Sequence, residues 1–173
     1  MKSIEEQMST YAAYHQDPRN KATHFIGVPL IVLSLFIPLA WLRLGDISLA
    51  MVLAAAVIVY YLLLDVPLGL AMLVVFAVLA WLGERIAMQG AVAGWSWFAV
   101  LFVGGWILQL VGHVYEGRRP ALADNLLQIF VAPIFLAAEA FFALGYKPGL
   151  QAVVQRRAME MRAQTGTRTA EVR

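Results

Sequence analysis

The chain has 173 residues, 61% of them hydrophobic and only 14% charged, with a formal net charge of +2 and a mean hydropathy of +0.72. Soluble domains carry about 25% charged residues, so this composition excludes a water-soluble globular protein, and basic residues collected at the ends of apolar segments argue against a nucleic-acid partner. Cysteine is absent, which excludes disulfides and thiolate metal sites and leaves nitrogen and oxygen as the ligand atoms.

The first residues carry Glu5 and Glu6 and no apolar stretch, so no cleavable secretory signal is expected. Ser3 followed by Glu6 matches a capping box. It predicts a short surface helix whose Tyr11 and Tyr14 face the headgroup layer. Asp17-Pro18 should end that helix and start another, because Asp caps helix N-termini and Pro suits the first helical position. His15 then closes one helix and His24 lies near the start of the next.

Five apolar runs follow: Phe25 to Leu42, Ile47 to Leu64, Pro67 to Leu82, Val92 to Val111 and Leu126 to Leu144. Each approaches the roughly 17 to 25 residues that span a bilayer. The predicted fold is all-α, an integral membrane bundle of four to five hydrophobic segments in a single domain. Residues 1–22 form the surface helix and its exit, 23–144 the hydrophobic segments, and 145–173 a polar, basic tail that starts as a surface helix and frays. Only Asp65-Val66-Pro67 separates the second and third runs, predicting a tight helical hairpin with Asp65 as N-cap. The polar insertion from Gly112 to Asn125 is the longest between segments, and it is dense in ionisable groups, as functional loops are.

The chain has three histidines. If the first four segments cross in turn, His15, His24 and His113 all reach one membrane face, A. Trp41, Trp81, Trp95 and Trp97 then fall together at the opposite face, B, as an interfacial belt. The fifth segment contains Pro133 and, if it is re-entrant or interfacial, every Lys and Arg except Arg43 and Arg85 lies on side A. The positive-inside rule favours that arrangement and makes side A cytoplasmic. The expected location is a bacterial inner membrane, or the endoplasmic reticulum if the source is eukaryotic.

Imidazole is the commonest metal ligand among side chains. Asn20 stands four residues before His24 on one helical face, where its amide can fix the imidazole tautomer. His113 and Glu116, three apart, can place an imidazole and a carboxylate on one metal. Asp124 is the second carboxylate candidate, with helix capping as its competing role. Arg118 and Arg119 suit a substrate carboxylate or lipid phosphate. Glu139, inside the fifth run, is costly unless it faces protein or a cavity. Ser34, Ser48 and Ser96 sit away from the histidines, so a serine triad is unsupported. A mononuclear Fe(II) or Zn(II) site with open positions is the chemistry this inventory allows.

The strings Tyr14-His15, Pro18, Asn20, His24 and Pro29, then Gly104-Gly105-Trp106, Gln109, Gly112-His113, Glu116, Arg118-Arg119-Pro120-Ala121-Leu122, Asp124-Asn125-Leu126, Gln128, Ala132-Pro133 and Glu139 resemble the membrane-bound 2-hydroxy fatty acid dioxygenases. That resemblance implies Fe(II)-dependent α-oxidation, in which O2 attacks a 2-hydroxy acid and C1 is lost. It implies His15, His24 and His113 as iron ligands, with Glu116 favoured to complete the set. Asn20, Asp124, Tyr14 and Glu139 take catalytic or supporting roles, and Arg118 or Arg119 holds the substrate carboxylate. The implied partners are a 2-hydroxy fatty acid, O2 and membrane lipids. Gln16 stands where the fungal form has a further histidine, so a four-histidine site is not expected. The competing readings are a zinc-dependent membrane hydrolase of lipid amides or esters, and a non-enzymatic transporter or scaffold.

Overall fold

The computed structural model describes residues 2–117 and 128–171, with side chains through Gln164. Arg118, Arg119 and Asp124 therefore lie outside the described residues. The chain order is α1 (Ile4–Ala13), α2 (Pro18–Trp41), a two-stranded hairpin β1 (Arg43–Leu44) and β2 (Ile47–Ser48), α3 (Leu49–Leu64), α4 (Val66–Ala87), α5 (Ala91–Glu116), α6 (Gln128–Ala143) and α7 (Pro148–Glu171). The architecture is an all-α membrane bundle.

Local chemistry sets these boundaries. Ser3 accepts a hydrogen bond from the Glu6 N–H at the start of α1, and Asp17 accepts one from the Arg19 N–H with Pro18 in the first turn of α2. Asp65 ends α3 and caps α4 by accepting from the Leu68 N–H, the role expected of it. The small β-hairpin turns at Gly45, where φ is +63° and a side chain would be strained.

Helices α2, α4 and α5 are long and apolar enough to cross a bilayer, while α3 is shorter, with 16 residues. At 1.5 Å per residue α3 spans about 24 Å, short of the roughly 30 Å hydrocarbon core. Val59, Leu63, Val74, Val78, Val100 and Val103 are exposed on the bundle's flanks. A continuous apolar exterior of this kind is a lipid-facing surface.

The most extensive pairing is between α2 and antiparallel α5. Their backbones approach at Gly27 and Gly105, where a Cβ on either glycine would stand 3.0 Å from the carbonyl oxygen of the other. Removing side chains at a crossing is the usual way membrane helices pack closely. At the B end, Trp41 packs against Trp95 with ring centroids 5.4 Å apart and donates to the Ala87 carbonyl, while Trp81, Trp95 and Trp97 are exposed.

Helix α6 does not follow the up-and-down pattern. It is bent by 120° relative to α7. Beyond its C-terminus Lys147 pairs with Asp65 at 2.6 Å, and further along α7 Arg162 pairs with Glu116 at 2.5 Å. Asp65 joins α3 to α4 and Glu116 ends α5, so both partners lie at the histidine end of the bundle. The two helices thus form a cap on that end, with α7 packed along α1.

Candidate metal centre

Three separate chain segments deliver the histidines to one point. His15 leaves the end of α1, His24 sits in the second turn of α2, and His113 sits near the end of α5. All three are buried, at 2%, 3% and 6% exposure. Their ring centroids form a nearly equilateral triangle with sides of 4.6, 5.0 and 5.1 Å, and the rings stand edge-on to one another. One ligating atom from each lies within 4.8 Å of the others. Among the described residues, no other group of three or more His, Asp or Glu side chains converges in this way.

The hydrogen bonds decide which nitrogens face inward. His15 Nδ1 is 2.8 Å from the Tyr11 carbonyl oxygen, and His24 Nδ1 is 2.9 Å from that of Asn20. A carbonyl only accepts, so each Nδ1 carries the proton and each Nε2 of the neutral ring presents a lone pair. These two Nε2 atoms face each other at 3.2 Å. Burial, followed by the adjacent His24, pushes the His15 imidazole well below its ordinary pKa and keeps it neutral. Two lone pairs 3.2 Å apart with no proton between them repel. Two nitrogens about 2.0–2.1 Å from a shared ion, at octahedral to tetrahedral angles, lie about 2.9–3.4 Å apart. The site thus fits a cation held by neutral imidazoles.

The surroundings differ from several sequence expectations. Tyr11 does not face the headgroups: it is 4% exposed, and its ring stacks on His15 at 4.0 Å with planes 3° apart, backed by Phe135. The tautomer of His24 is set by the backbone carbonyl of Asn20 rather than by its amide. The Asn20 amide nitrogen instead donates to the Tyr14 carbonyl and to Glu116. Tyr14 caps α1, and its carbonyl is the part that braces the turn.

Glu116 has a different set of partners from the expected one. Its Oε2 accepts from the backbone N–H groups of Gln16 and Asp17, at 2.9 and 2.8 Å, and from the Asn20 amide at 3.2 Å. Its Oε1 accepts from Arg162. The carboxylate therefore ties the α1–α2 turn, and His15 within it, to α5 and α7. Glu139 is also engaged away from the histidines, in a largely buried pair with Lys21 at 2.8 Å.

A cavity of about 90 Å³ leads from the histidines into the bundle. Val28, Ile31, Val32 and Leu35 line it as one stripe of α2, with Ile129 and Ala132 of α6 opposite. Trp106 and Gln109, seven and four residues before His113 along one face of α5, complete its wall with Gln128. Trp106, Gln109 and Gln128 belong to the resembling strings but carry no expected role at the site. Their helical spacing from His113, and the start of α6 beside it, were the signals available.

A membrane-embedded helical bundle with a buried triad of histidines above an apolar cavity is the class that fold and site define. The family model described as "2-hydroxy-palmitic acid dioxygenase Mpo1-like" matches residues 1–144, and the chain belongs to this Mpo1-like family. It is 38% identical over 157 residues to the Saccharomyces cerevisiae protein named 2-hydroxy-palmitic acid dioxygenase MPO1, covering 88% of this chain and 87% of the yeast protein. No solved structure matches.

Proposed function

We propose that this protein is a dioxygenase of 2-hydroxy fatty acids, which uses Fe(II) held by His15, His24 and His113 to shorten its substrate by one carbon with loss of C1. The observation that carries the reading is the pair of facing Nε2 lone pairs beside a third imidazole, placed where an apolar cavity begins. The yeast relative is named for 2-hydroxypalmitic acid, an acyl chain with a polar head. That division of polarity suits a site with nitrogen ligands at one end and aliphatic side chains along the other.

Fe(II) with open coordination positions supplies the chemistry that lets O2 react with an otherwise inert alcohol carbon. The chain's own contribution is binding and orientation. The Tyr11 and Asn20 carbonyls hold two imidazoles with Nε2 inward, and the Tyr11 ring fixes the plane of His15. The cavity accepts the first carbons of the tail and keeps bulk water from the reacting end. Arg118 and Arg119, which follow α5 in the sequence, provide charge for the carboxylate, and Asp124 is the second carboxylate candidate after Glu116. The cations of α7 at the histidine end, set against Arg43 and Arg85 at the other, favour a cytoplasmic site.

The test is metal analysis of purified protein together with O2 uptake on 2-hydroxypalmitate. Iron, O2 consumption and a product one carbon shorter are expected. Zinc without O2 uptake would instead support hydrolysis.

A further inference from the structure

Beside the histidines the cavity wall holds polar atoms that the protein leaves unsatisfied. Gln109 and Gln128 are 6% and 7% exposed. Among the described residues, their side-chain oxygens and the Trp106 indole nitrogen have no hydrogen-bond partner. All three residues line the same cavity. A buried polar group without a partner costs about 1–3 kcal/mol. Three of them around one small cavity make it complementary to a polar ligand group.

The donor and acceptor balance narrows that group. Trp106 Nε1–H can only donate, and an amide oxygen can only accept. An ionised fatty acid carboxylate has no donor, so it satisfies Trp106 and leaves the glutamine oxygens bare. A hydroxyl satisfies both kinds, donating to an amide oxygen while accepting from the indole N–H. Gln109 stands one helical turn below His113, about 6 Å along α5, and Trp106 a further three residues on. The histidines, Trp106, Gln109 and Gln128 line one cavity, so a polar substrate end seated there lies among all of them, and its tail continues along Val28, Ile31 and Leu35.

We propose that Gln109, with Trp106 and Gln128, forms the subsite that reads the 2-hydroxyl of the substrate and so separates 2-hydroxy fatty acids from ordinary ones. This rests on the function proposed above, and goes beyond it by assigning the specificity to neutral groups of α5 and α6. A site built to hydrogen-bond a substrate hydroxyl disfavours the analogue that lacks it, because its own polar groups stay unpaired.

The experiment measures equilibrium binding of 2-hydroxypalmitate and of palmitate to iron-loaded protein under anaerobic conditions, where no turnover intervenes. The wild-type protein should prefer the hydroxy acid by about tenfold or more. Gln109→Leu should bring the two affinities within about threefold while iron content stays the same, with the aerobic KM for 2-hydroxypalmitate rising more than kcat falls. Trp106→Phe keeps the ring and removes only the N–H, so it serves as a second variant if Gln109→Leu does not fold, and it should reduce the preference in the same direction. If the wild type consumes O2 with 2-hydroxypalmitate but folded variants retain the full preference, the subsite is wrong and the function stands. If the wild type neither prefers nor oxidises the hydroxy acid, both fall.

Discussion

The Nε2 atoms of His15 and His24 face each other at 3.2 Å while both Nδ1 atoms are committed to backbone carbonyls. A cation between them replaces repulsion with attraction, so metal binding and folding are coupled here. Chelation of the purified protein should lower its unfolding temperature. Metal at 100 times its Kd contributes about 2.7 kcal/mol. His24→Ala and His113→Ala should each abolish stoichiometric metal and make unfolding insensitive to chelator, as read by elemental analysis and thermal scans. Wild-type unfolding that ignores chelator would count against the centre.

Glu116 and Arg162 act as a clamp on the turn that carries His15. Glu116→Ala removes the acceptor for two backbone N–H groups, the Asn20 amide and the guanidinium. The expected loss is about 3 kcal/mol, the low end for breaking a buried pair, since the Arg162 side chain is 30% exposed. Arg162→Ala should cost less and move metal affinity in the same direction, because positioning groups around metal ligands are worth about 10–100-fold in affinity. A Glu116 that ligated the metal directly would give a different pattern: complete metal loss in Glu116→Ala and none in Arg162→Ala.

Gly112 is the closest point of α5 to the polar turn of α2. A Cβ there would collide with Thr23 Oγ1 and Asn20 Oδ1 and stand 3.2 Å from His24 Nδ1. Gly112→Ala should destabilise by about 1–3 kcal/mol as an overpacked contact and weaken metal binding through His24. Gly104→Ala, one helical face away with open space around it, is the control: it should raise stability by up to about 1 kcal/mol and leave metal binding unchanged.

Lys21 and Glu139 join α2 to α6 through side chains 19% and 14% exposed. A double-mutant cycle with Lys21→Met and Glu139→Gln should show a coupling energy of about 1–3 kcal/mol, between the surface and buried limits for ion pairs. Additive effects would mean that the two side chains do not meet in the membrane.

The cap formed by α6 and α7 predicts a membrane sidedness. Because the chain has no cysteine, single replacements report without background. Ser3→Cys and Gln151→Cys should label from the same side with an impermeant maleimide, and Asp46→Cys and Gln89→Cys from the other; all four positions are exposed. Gln151→Cys labelling together with Asp46→Cys would show that α6 crosses.

The membrane class and the helical fold were legible because apolar run length is a local property. The caps at Ser3, Asp17 and Asp65 were legible for the same reason, each bonding within a few residues of itself. The end of α5 was not. Polarity after Val111 reads as a loop, yet the helix runs to Glu116 and stops at Gly117, whose φ is +66°. Glu116 stays helical with its carboxylate satisfied inside the protein rather than by water, and His113 is buried one turn before it. Tyr11 was misplaced at the headgroups on the same logic, since its ring is covered by His15 and Phe135.

By itself the sequence determined that this is a helical membrane protein whose three imidazoles share one end, because crossing number and hydrophobic length add up along the chain without regard to packing. Only the tertiary structure decided what each polar group does there. Glu116 meets Gln16 and Asp17 across about a hundred residues of chain, and Arg162 reaches the same carboxylate from α7, a stretch expected to lie on the surface. Such contacts depend on how helices pack in three dimensions, and hydropathy along one dimension carries no record of them.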